Sequence, residues 1–452
     1  MQKSLPGNVR FIAALALKDI YKKSGYSNLV LNSYFKKTSL SERDKAFATR
    51  CVYGVLQWQR LIDYYLEKIS NRPLNKIKLN LLILLRLGLY QIIFLDRVPP
   101  RAAVYETVNV AQLMKEVKGA GFLNGVLRNY LRKKDEIEMP EDISIRYSHP
   151  DWMVKQWLNR FGEEVTIQLC KRNNSIPSTF LRVNTLNIDK ASLLGKLEEK
   201  NISCESASYP CEAIKVKSLQ GLNELDLFNK GYFYIQDINS MLVAHLASPS
   251  EGDKVIDLCS APGGKTTHMA QLMQNKGEVI AVDIHTSRIK MVEENCKRLG
   301  VEIVRTWEGD ARELLNVSEY DEYFDISLVD APCSALGVLQ KQPELKWRSN
   351  EKDIASLREL QKELMLAAIK ATKPGGRIVF STCTITAQEN EDLIEELLML
   401  IPAKIEVINP LDILPGHISS YAFKIYDQGL LFLPSHEGGD GFFMTSLIKK
   451  SG

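Results

Sequence analysis

Apolar side chains recur at helical spacing through the first 140 residues of the chain. The first stripe, which falls on one face of a helix, consists of Val9, Ile12, Ala13, Ala16, Leu17 and Ile20. The segment from Ser41 to Asp44 has the form of an N-cap and predicts the start of a long helix. Residues 79–94 are apolar almost all round, which predicts a buried central helix. With shorter helices predicted at 102–117 and 122–132, residues 1–140 are expected to form an all-α domain.

The pattern changes after a polar and acidic stretch at 136–145, which is typical of a linker. Short helical and strand-like runs follow, with helices predicted at 150–161, 163–173 and 190–200 and strands at 179–184 and 214–216. This mixture indicates a small α+β domain over residues 145–235.

Strands and helices alternate through the last domain, residues 236–452, with strands predicted at 254–257, 277–283, 302–306, 324–330 and 376–382. Such alternation predicts an open, mostly parallel, doubly wound sheet of the Rossmann-like α/β type, which binds ligands beyond the carboxyl ends of its strands. The turn at 257–267 follows the first of these strands. Its glycines, Gly263 and Gly264, allow a close backbone approach, and the helix behind them offers free N–H groups to a polar ligand.

Acidic residues end three successive strands of the predicted sheet: Asp283, Asp310 and Asp330. One such aspartate is often only a helix N-cap, whereas three in successive turns favour a nucleoside pocket. Asp283 suits ribose hydroxyls, and Asp310 suits an adenine amino group. The turn at 257–267 lacks the glycine spacing of dinucleotide folds and of P-loops, which disfavours nucleotide hydrolysis. An acidic pocket also suits a cofactor with a cationic centre, such as the sulfonium of S-adenosylmethionine.

Composition narrows the class of protein. Apolar residues make up 45% and charged residues 25%, as in ordinary soluble globular proteins. Residues 1–10 show no secretory signal, and the longest apolar run, 79–90, is too short and too polar to span a bilayer. Eight cysteines without a C-x-x-C pair and six scattered histidines argue against a structural zinc site. A reducing, cytoplasmic setting is expected.

Charge is divided unevenly along the chain. Residues 1–140 contain 24 Lys and Arg against 11 Asp and Glu, residues 141–235 contain 12 of each class, and residues 236–452 contain 22 against 32. A basic front domain is expected to meet a polyanion, and the alternative is a solvated basic surface. Basic residues near predicted element ends, where they suit phosphate contacts, are Lys36, Lys37, Arg97, Arg101, Lys118, Arg128, Arg132, Lys133 and Lys134. The middle domain is either a second face for this polyanion or a packing adaptor.

Two cysteines fall just beyond neighbouring predicted strands. Cys333 follows Asp330 by three residues, and Cys383 follows the strand at 376–382. Adjacent strands would place both thiols at the rim of one cleft, which is an unusual place for a small buried hydrophobe. A thiolate that adds to C6 of a cytosine makes C5 nucleophilic enough to accept a methyl group, and Asp330 could act as the acid at N3 if burial raises its pKa. These arguments alone leave open which sulfur attacks.

The motifs in both halves resemble known families. The front domain is similar to the NusB-type RNA-binding helical domain in Arg86-Leu87-Gly88-Leu89-Tyr90-Gln91, Pro99-Pro100, Ala111 and Gly121-Phe122-Leu123-Asn124-Gly125-Val126-Leu127-Arg128. The catalytic half resembles the RNA cytosine-C5 methyltransferases of the NOL1/NOP2/Sun family in Asp257-x-Cys259-x-Ala261-Pro262-Gly263-Gly264-Lys265, Asp330-Ala331-Pro332-Cys333-Ser334, Ser381-Thr382-Cys383-Thr384 and Gly438-Gly439-Asp440-Gly441-Phe442-Phe443. Ser260 stands where the family often has Ala. Together the halves resemble the RsmB (Sun/Fmu) group of bacterial 16S rRNA methyltransferases.

This resemblance implies a role for each motif. Cys383 would be the nucleophile, and Cys333 would help to resolve the adduct and release the product. Lys265 would hold Asp330 or a polar group of the cofactor. S-adenosylmethionine would bind against Cys259, Ser260, Ala261, Pro262, Gly263, Gly264, Lys265, Asp283, Asp310 and Asp330, and no metal is expected.

The resemblance also implies a substrate, 16S rRNA that is either naked or in an early assembly intermediate, and a monomeric enzyme. Two alternatives are the same chemistry on tRNA and a non-catalytic RNA-binding scaffold. Lys346, Trp347 and Arg348 follow the Cys333 motif and would contact the RNA backbone or stack on bases. A structural role for Trp347 is the equal alternative.

Overall fold

A computed structural model describes residues 7–217, 225–415, 418, 422–435 and 438–451. The chain divides into two compact units. The helical unit comprises Met1–Ile176 and Leu339–Arg348, and the catalytic unit comprises Pro177–Val338 and Ser349–Gly452. Among the described helices, none combines the length and apolar content needed to cross a membrane.

The helical unit is built from eight α-helices over its described residues: α1 (Val9–Lys23), α2 (Ser27–Phe35), α3 (Glu42–Ile69), α4 (Leu79–Phe94), α5 (Pro100–Leu113), α6 (Ala120–Lys133), α7 (Ile143–Arg146) and α8 (Asp151–Asn173). The Ser41 side chain accepts a hydrogen bond from the Asp44 N–H, so the predicted N-cap of α3 is present. Helix α4 is the centre of the core, because Leu84, Leu85 and Leu87 in it are fully buried. The predicted all-α front domain is confirmed.

Helix boundaries depart from the predicted ones where single residues break the backbone. Helix α5 ends at Leu113 rather than at residue 117, because Lys115 adopts a left-handed φ of 60°. The two helices predicted at 150–161 and 163–173 form α8, which is interrupted at Gly162 with φ 78° and ψ 174°. Both departures are local and leave the helical order unchanged.

The catalytic unit begins with a small antiparallel sheet in the order β2-β3-β1-β4. Its strands are β1 (Thr179–Val183), β2 (Cys204–Ser206), β3 (Ala213–Val216) and β4 (Phe233–Ile235). Helices α9 (Lys190–Glu199) and α10 (Asp226–Asn229) accompany it, and Leu193 and Leu197 of α9 share a buried cluster with Leu181 and Ile214 of the sheet. The predicted α+β character of this region is confirmed, whereas its boundaries at residues 145 and 235 stay a prediction.

A nine-stranded mixed sheet is the centre of the rest of the described catalytic unit. Its strands are β5 (Lys254–Asp257), β6 (Glu278–Asp283), β7 (Val304–Glu308), β8 (Phe324–Asp330), β9 (Thr372–Thr382), β10 (Ile405–Ile408), β11 (Lys424–Tyr426), β12 (Gly429–Phe432) and β13 (Phe442–Lys449). The order is β11-β12-β13-β9-β8-β5-β6-β7, with β10 pairing β13. Strands β5 to β9 are mutually parallel, as predicted, and the four C-terminal strands add an antiparallel extension that the sequence pattern did not indicate.

Five helices flank this sheet in the described residues: α11 (Ile238–Ala247), α12 (Gly264–Leu272), α13 (Thr286–Leu299), α14 (Glu351–Ala371) and α15 (Glu391–Leu400). Helix α12 begins at the glycine turn, and α13 follows Asp283 at the end of β6. The carboxyl edge of the parallel strands therefore carries the predicted ligand-binding turns.

Candidate active site

Register brings the two cysteine turns together. Strands β8 and β9 are parallel neighbours, and Asp330 at the end of β8 is paired with Ser381 near the end of β9. The chain continues from these ends into Cys333 and Cys383, whose Sγ atoms lie 3.3 Å apart. Both side chains are partly exposed, and the two thiols lie together at the rim of the site, as predicted.

The two sulfurs differ in their surroundings. The hydrogen bond to Cys383, followed by burial, raises the pKa of Cys333 well above that of an ordinary thiol. Cys333 therefore keeps its proton at neutral pH, and either sulfur can be the donor in the hydrogen bond between them.

A buried carboxylate fixes the turn that carries Cys333. Glu389 accepts hydrogen bonds from the Ser334 N–H at 2.8 Å and the Ser334 hydroxyl at 2.5 Å. It also accepts from the Thr386 hydroxyl at 2.7 Å and the Gln361 amide at 3.1 Å, and it is fully buried. Because Ser334 and Thr386 lie on the two cysteine loops, one carboxylate joins both loops.

The next residue fixes the turn that carries Cys383. Asn390 accepts from the Thr382 hydroxyl at 2.6 Å and donates to the Thr384 carbonyl at 3.1 Å, so it holds the residues on either side of the cysteine. Sequence reasoning missed both Glu389 and Asn390. The available signal was an acid and an amide six and seven residues after Cys383, which spacing alone does not distinguish from surface residues.

Two glycines bring the C-terminal motif against the cysteine loops. The Gly337 N–H donates to the Cys383 carbonyl at 2.9 Å, and the Gly441 N–H donates to the Gly337 carbonyl at 2.8 Å. A Cβ on Gly337 would lie 2.0 Å from the Gly441 carbonyl oxygen and 2.7 Å from that of Cys383. Only glycine allows the three backbone segments to approach this closely.

Asp330 lies in an ion pair beside the sulfurs. Its carboxylate receives the Lys265 ammonium at 2.6 Å and the Ser381 hydroxyl at 2.8 Å. Burial lowers the pKa of Lys265, but the opposing effects of Asp330, and then of Cys383 and Asp257, raise it overall, so Lys265 is a cation. Its ammonium also lies 5.3 Å from the centre of the Phe442 ring in the C-terminal motif. The interpretation that Lys265 holds Asp330 agrees with this geometry.

The glycine turn between β5 and α12 has the backbone shape that its sequence predicts. Gly263 has a φ of 96°, and a Cβ there would lie 3.3 Å from Val292. Ser260 donates through both its N–H and its hydroxyl to the Val282 carbonyl, and the Ala261 carbonyl accepts from Arg288 at 2.9 Å. The turn is therefore tied to β6 and α13 on its outer side.

Asp257 and Cys259 in this turn both have raised pKa values, so each keeps its proton to a higher pH than usual. Burial raises the pKa of Asp257 to about 7, and its carboxyl accepts a hydrogen bond from the Thr266 hydroxyl at 2.7 Å. Burial, and then Asp257, raises the pKa of Cys259 well above its ordinary value. Cys259 is thus a protonated thiol, distinct in character from the pair at the rim.

The other two predicted acids lie where their strands end. Asp283 closes β6, is 5% exposed, and lies 3.5 Å from Arg288. Asp310 follows β7 and forms a 2.5 Å ion pair with Arg312, which holds the pKa of that carboxyl below its usual range. Ile284, directly after Asp283, is 57% exposed and presents an apolar side chain at the same edge, a residue that the sequence analysis did not select.

This set of groups fits S-adenosylmethionine. The N-terminus of α12 follows Gly263, and Asp283, Asp310 and Asp330 line one sheet edge with carboxylates. Carboxylates suit ribose hydroxyls, an adenine amino group and a cationic sulfonium or ammonium. Ile284 offers apolar surface for the flat adenine ring.

The small antiparallel sheet also contacts α12, the helix that follows the glycine turn. Arg182 of β1 is fully buried and donates to the Gly264 carbonyl and to the Thr267 hydroxyl at the start of α12. Burial lowers the pKa of Arg182 to about 10, still high enough for it to be charged at neutral pH. These contacts support the packing-adaptor interpretation of the middle region. A lone arginine within the apolar run 179–184 was the signal in the sequence.

One group in the described residues has the composition of a metal site. Glu212 Oε1 lies 2.8 Å from His245 Nε2 and 2.7 Å from His268 Nε2. The contact with His245 is a hydrogen bond, and both distances are shorter than the roughly 3 Å or more that separates tetrahedral zinc ligands at about 2.0–2.2 Å from the ion. The group therefore joins β3 to α11 and α12 as a polar cluster.

Lys346, Trp347 and Arg348 are structural residues of the helical unit. The Lys346 ammonium reaches the Gln57 and Ser148 carbonyls and the Asn174 side chain at 2.5–3.2 Å, and burial lowers its pKa to about 7. The Trp347 N–H donates to the Leu56 carbonyl at 2.7 Å, and Arg348 donates to three carbonyls at residues 20, 24 and 25. The expectation of RNA contacts is wrong for Lys346, which is 1% exposed, and the structural alternative holds for Trp347.

Comparison with known proteins matches three family profiles in chain order. Residues 7–132 match the NusB family, residues 149–221 match the ferredoxin-like domain of RsmF/B-like methyltransferases, and residues 244–448 match the 16S rRNA methyltransferase RsmB/F profile. The probable ribosomal RNA small subunit methyltransferase B of Bacillus subtilis (strain 168) is 36% identical over 449 residues, which cover 98% of this chain and 99% of that protein. The chain belongs to the RsmB/F family of methyltransferases.

Other RsmB/F relatives and solved structures agree with this assignment. The relative from Synechocystis sp. is 34% identical over 98% of this chain and 99% of its own length. The crystal structure of PH0851 has a TM-score of 0.82 at 27% identity and covers 99% of this chain and 100% of that one. NSun6 from Pyrococcus horikoshii, solved with the S-adenosylmethionine analogue SFG, has a TM-score of 0.59 at 27% identity over 67% of this chain and 99% of that one.

Membership of the RsmB/F family settles the class of enzyme. The family consists of S-adenosylmethionine-dependent rRNA methyltransferases, and this chain is one of its members. The scaffold alternative is therefore wrong. The predicted arrangement of a NusB-like helical domain, a small middle domain and a Rossmann-like methyltransferase domain is confirmed.

Proposed function

We propose that this RsmB/F enzyme methylates C5 of a cytosine in 16S rRNA through a covalent bond between Cys383 and C6 of the base. The observation that carries the proposal is the pair of sulfurs, Cys333 and Cys383, 3.3 Å apart beside the Asp330–Lys265 ion pair. C5 of a cytosine is a weak nucleophile, and methylation there needs a group that adds to C6 first. A thiol pair at a ligand-binding edge supplies that group and a second group to help remove it.

In the first step Cys383 attacks as a thiolate. Its S–C6 bond forms as the C5–C6 double bond opens, so C5 gains enamine-like electron density and N3 gains basicity. We assign the donor role in the sulfur–sulfur hydrogen bond to Cys333, which would orient the Cys383 sulfur. The nearby Lys265 ammonium favours negative charge at this rim.

Asp330 faces the polar edge of the base in this proposal. An ionised carboxylate accepts from the 4-amino group of cytosine. When N3 becomes basic, a proton passes to it through Asp330, and the Lys265 ammonium at 2.6 Å is the nearest proton source. The Asp330–Lys265 pair therefore supplies the proton for N3 in this proposal.

The cofactor would be held by the Gly263 turn, Asp283 and Asp310, with Ile284 against the adenine. When bound, S-adenosylmethionine supplies an electrophilic methyl group on a sulfonium. The chain's own task is to present C5 to that group and to exclude competing nucleophiles. The high pKa of Cys259 serves this exclusion, because a protonated thiol beside the cofactor is a poor methyl acceptor.

Release of the product reverses the first bond. A base removes the proton from C5, the C5–C6 double bond reforms, and the C6–S bond breaks to return Cys383 as a thiolate. The proton taken up at N3 returns to the Asp330–Lys265 pair. We assign Cys333 to this stage, because its sulfur lies 3.3 Å from the Cys383 sulfur, whose bond to C6 breaks. The target base must leave its stack to reach the rim, as bases do in other enzymes that modify them.

The test is methyl transfer from labelled S-adenosylmethionine to protein-free 16S rRNA, followed by nucleoside analysis. The proposal predicts 5-methylcytidine at one position. Parallel incubation with tRNA separates the alternative substrate, and incubation with partly assembled small subunits defines the natural form of the acceptor. Label on a base other than cytosine, or label only in tRNA, would overturn the assignment.

A further inference from the structure

A groove of about 1010 Å³ runs between α5 and α6 on the helical unit. Its volume is at the upper end of the roughly 300–1,000 Å³ that ligand sites occupy. Helix α5 contributes Arg101 and Tyr105, one turn apart, and α6 contributes Gly121, Gly125, Arg128 and Arg132, spaced along one face. The groove lies within one compact unit.

The groove is positively charged. Three of its lining residues are arginines and none is acidic. Arg101 and Arg128 are exposed, and neither has an ion pair or hydrogen bond with any residue that the structure describes. Arg132 has only a 3.4 Å contact with Asn129 among the described residues. Guanidinium groups without carboxylate partners are available for phosphates.

The groove also presents an aromatic ring and bare backbone. Tyr105 is 66% exposed, so its ring is open to a ligand. Gly121 and Gly125 are exposed on α6, and a Cβ at either would meet nothing within 4 Å. A flat ring beside a smooth glycine floor and a row of cations is the combination that binds single-stranded nucleic acid, in which bases stack and phosphates pair.

We propose that this groove holds a single-stranded segment of the rRNA substrate, with Tyr105 stacked on a base and Arg101, Arg128 and Arg132 on phosphates. The inference rests on the proposed rRNA substrate and identifies a surface that contributes to the affinity for it. An acidic protein segment would also pair with these arginines, but it has no base to stack on the Tyr105 ring. It is therefore treated as an outcome of the test.

The experiment measures binding of the full-length protein to a 16S rRNA transcript over a series of salt concentrations. Replacement of the three arginines, R101Q/R128Q/R132Q, should weaken binding at least about tenfold at physiological salt. It should also lower the slope of log affinity against log salt by about 2, since each single-strand phosphate contact contributes about 0.7. The matched control is Arg43→Gln on α3, an exposed arginine outside the groove.

The aromatic contact is tested separately. Tyr105→Ala should weaken binding about tenfold with an unchanged salt slope, and Tyr105→Phe should restore it, since the ring and not the hydroxyl does the stacking. In methyl-transfer assays these variants should raise KM for the transcript and leave kcat near the wild-type value. Circular dichroism and thermal melting verify that each variant is folded.

The outcomes separate this inference from the proposed function. Normal transcript binding by the triple variant overturns the groove, even if cytosine methylation is found. Lost binding with methylation on another base leaves the groove standing and overturns the cytosine chemistry. Normal binding to naked transcript with lost binding to small-subunit particles assigns the groove to a protein and overturns the RNA proposal.

Discussion

The Glu389 carboxylate accepts two hydrogen bonds from Ser334, one from the backbone N–H and one from the hydroxyl. Ser334 follows Cys333 directly, so the position of that thiol depends on a carboxylate 55 residues away in sequence. Glu389 is fully buried and also accepts from Thr386 on the Cys383 loop. A charge buried in this way is tolerated because every partner donates to it.

Glu389→Gln is expected to lower kcat without a matching change in KM for RNA. The amide has one acceptor atom in place of two and cannot satisfy the same set of donors. A thiol displaced by about 1 Å costs on the order of 10²-fold in rate. Steady-state methyl transfer to 16S rRNA gives both constants.

The control for this change is Glu395→Gln, on the exposed side of α15. It removes the same charge six residues further along the chain without touching the cysteine loops. Equal kcat values for the two variants would show that the buried carboxylate does not position the sulfurs.

Gly337→Ala is expected to destabilise the protein by about 1–3 kcal/mol, the usual range for overpacking. The new Cβ would lie 2.0 Å from the Gly441 carbonyl oxygen, which is backbone and cannot rotate away. Denaturant unfolding measures the loss. Gly195→Ala in α9 meets nothing within 4 Å and should be neutral or gain up to about 1 kcal/mol, so a comparable loss there would contradict the packing argument.

Local sequence patterns foretold the parts of this structure that depend on neighbouring residues. Strand β8 is a short apolar run that ends in Asp330, and the turn at Gly263 needs a residue that tolerates a positive φ. Periodicity and turn chemistry carry such features directly. The placement of Cys333 and Cys383 at one rim followed from strand adjacency alone.

Features that depend on distant pairings were not accessible in the same way. Burial of Glu389 needs Ser334, Gln361 and Thr386 to converge, and no spacing within one segment records that. Lys346 looked like a surface cation because its partners, Gln57 and Ser148, lie about two hundred residues or more earlier in the chain. The strands β10 to β13 were missed because no helices alternate with them to mark a repeating unit.

The pH dependence of stability should reveal Asp257. Its carboxyl has a pKa of about 7 in the folded protein and about 3.8 when unfolded. Between these values the folded state binds the extra proton, so stability falls as pH rises from about 4 to about 7, by up to about 4 kcal/mol. Asp257→Asn should remove this fall.

The measurement is the free energy of unfolding at pH 5 and pH 8 for both proteins. The free energy of unfolding of Asp257→Asn should exceed that of the wild type by more at pH 8 than at pH 5. Asp392→Asn, at an exposed position on α15, should show no such difference between the two pH values. If the difference in free energy of unfolding between Asp257→Asn and the wild type did not change with pH, the Asp257 carboxyl would not have a raised pKa in the folded protein.

Mild oxidation should inactivate the enzyme reversibly. A disulfide bond requires sulfurs about 2.05 Å apart, and Cys333 and Cys383 need to close by only about 1.2 Å from 3.3 Å. Hydrogen peroxide should therefore join these two cysteines before the others, and dithiothreitol should restore activity. Peptide mapping by mass spectrometry identifies the linked pair, and a bond between any other cysteines would place the two sulfurs farther apart than described.

The most direct test of Cys383 as the nucleophile is adduct trapping with Cys333→Ala. The variant is incubated with S-adenosylmethionine and 16S rRNA and then run on a denaturing gel. Because Cys383 can still attack but the C6–S bond is slow to break, a covalent protein–RNA band should accumulate, and C333A/C383A should give none. Methyl transfer by Cys383→Ala at the wild-type rate, or an adduct that survives in the double variant, would contradict the assignment of Cys383 as the nucleophile.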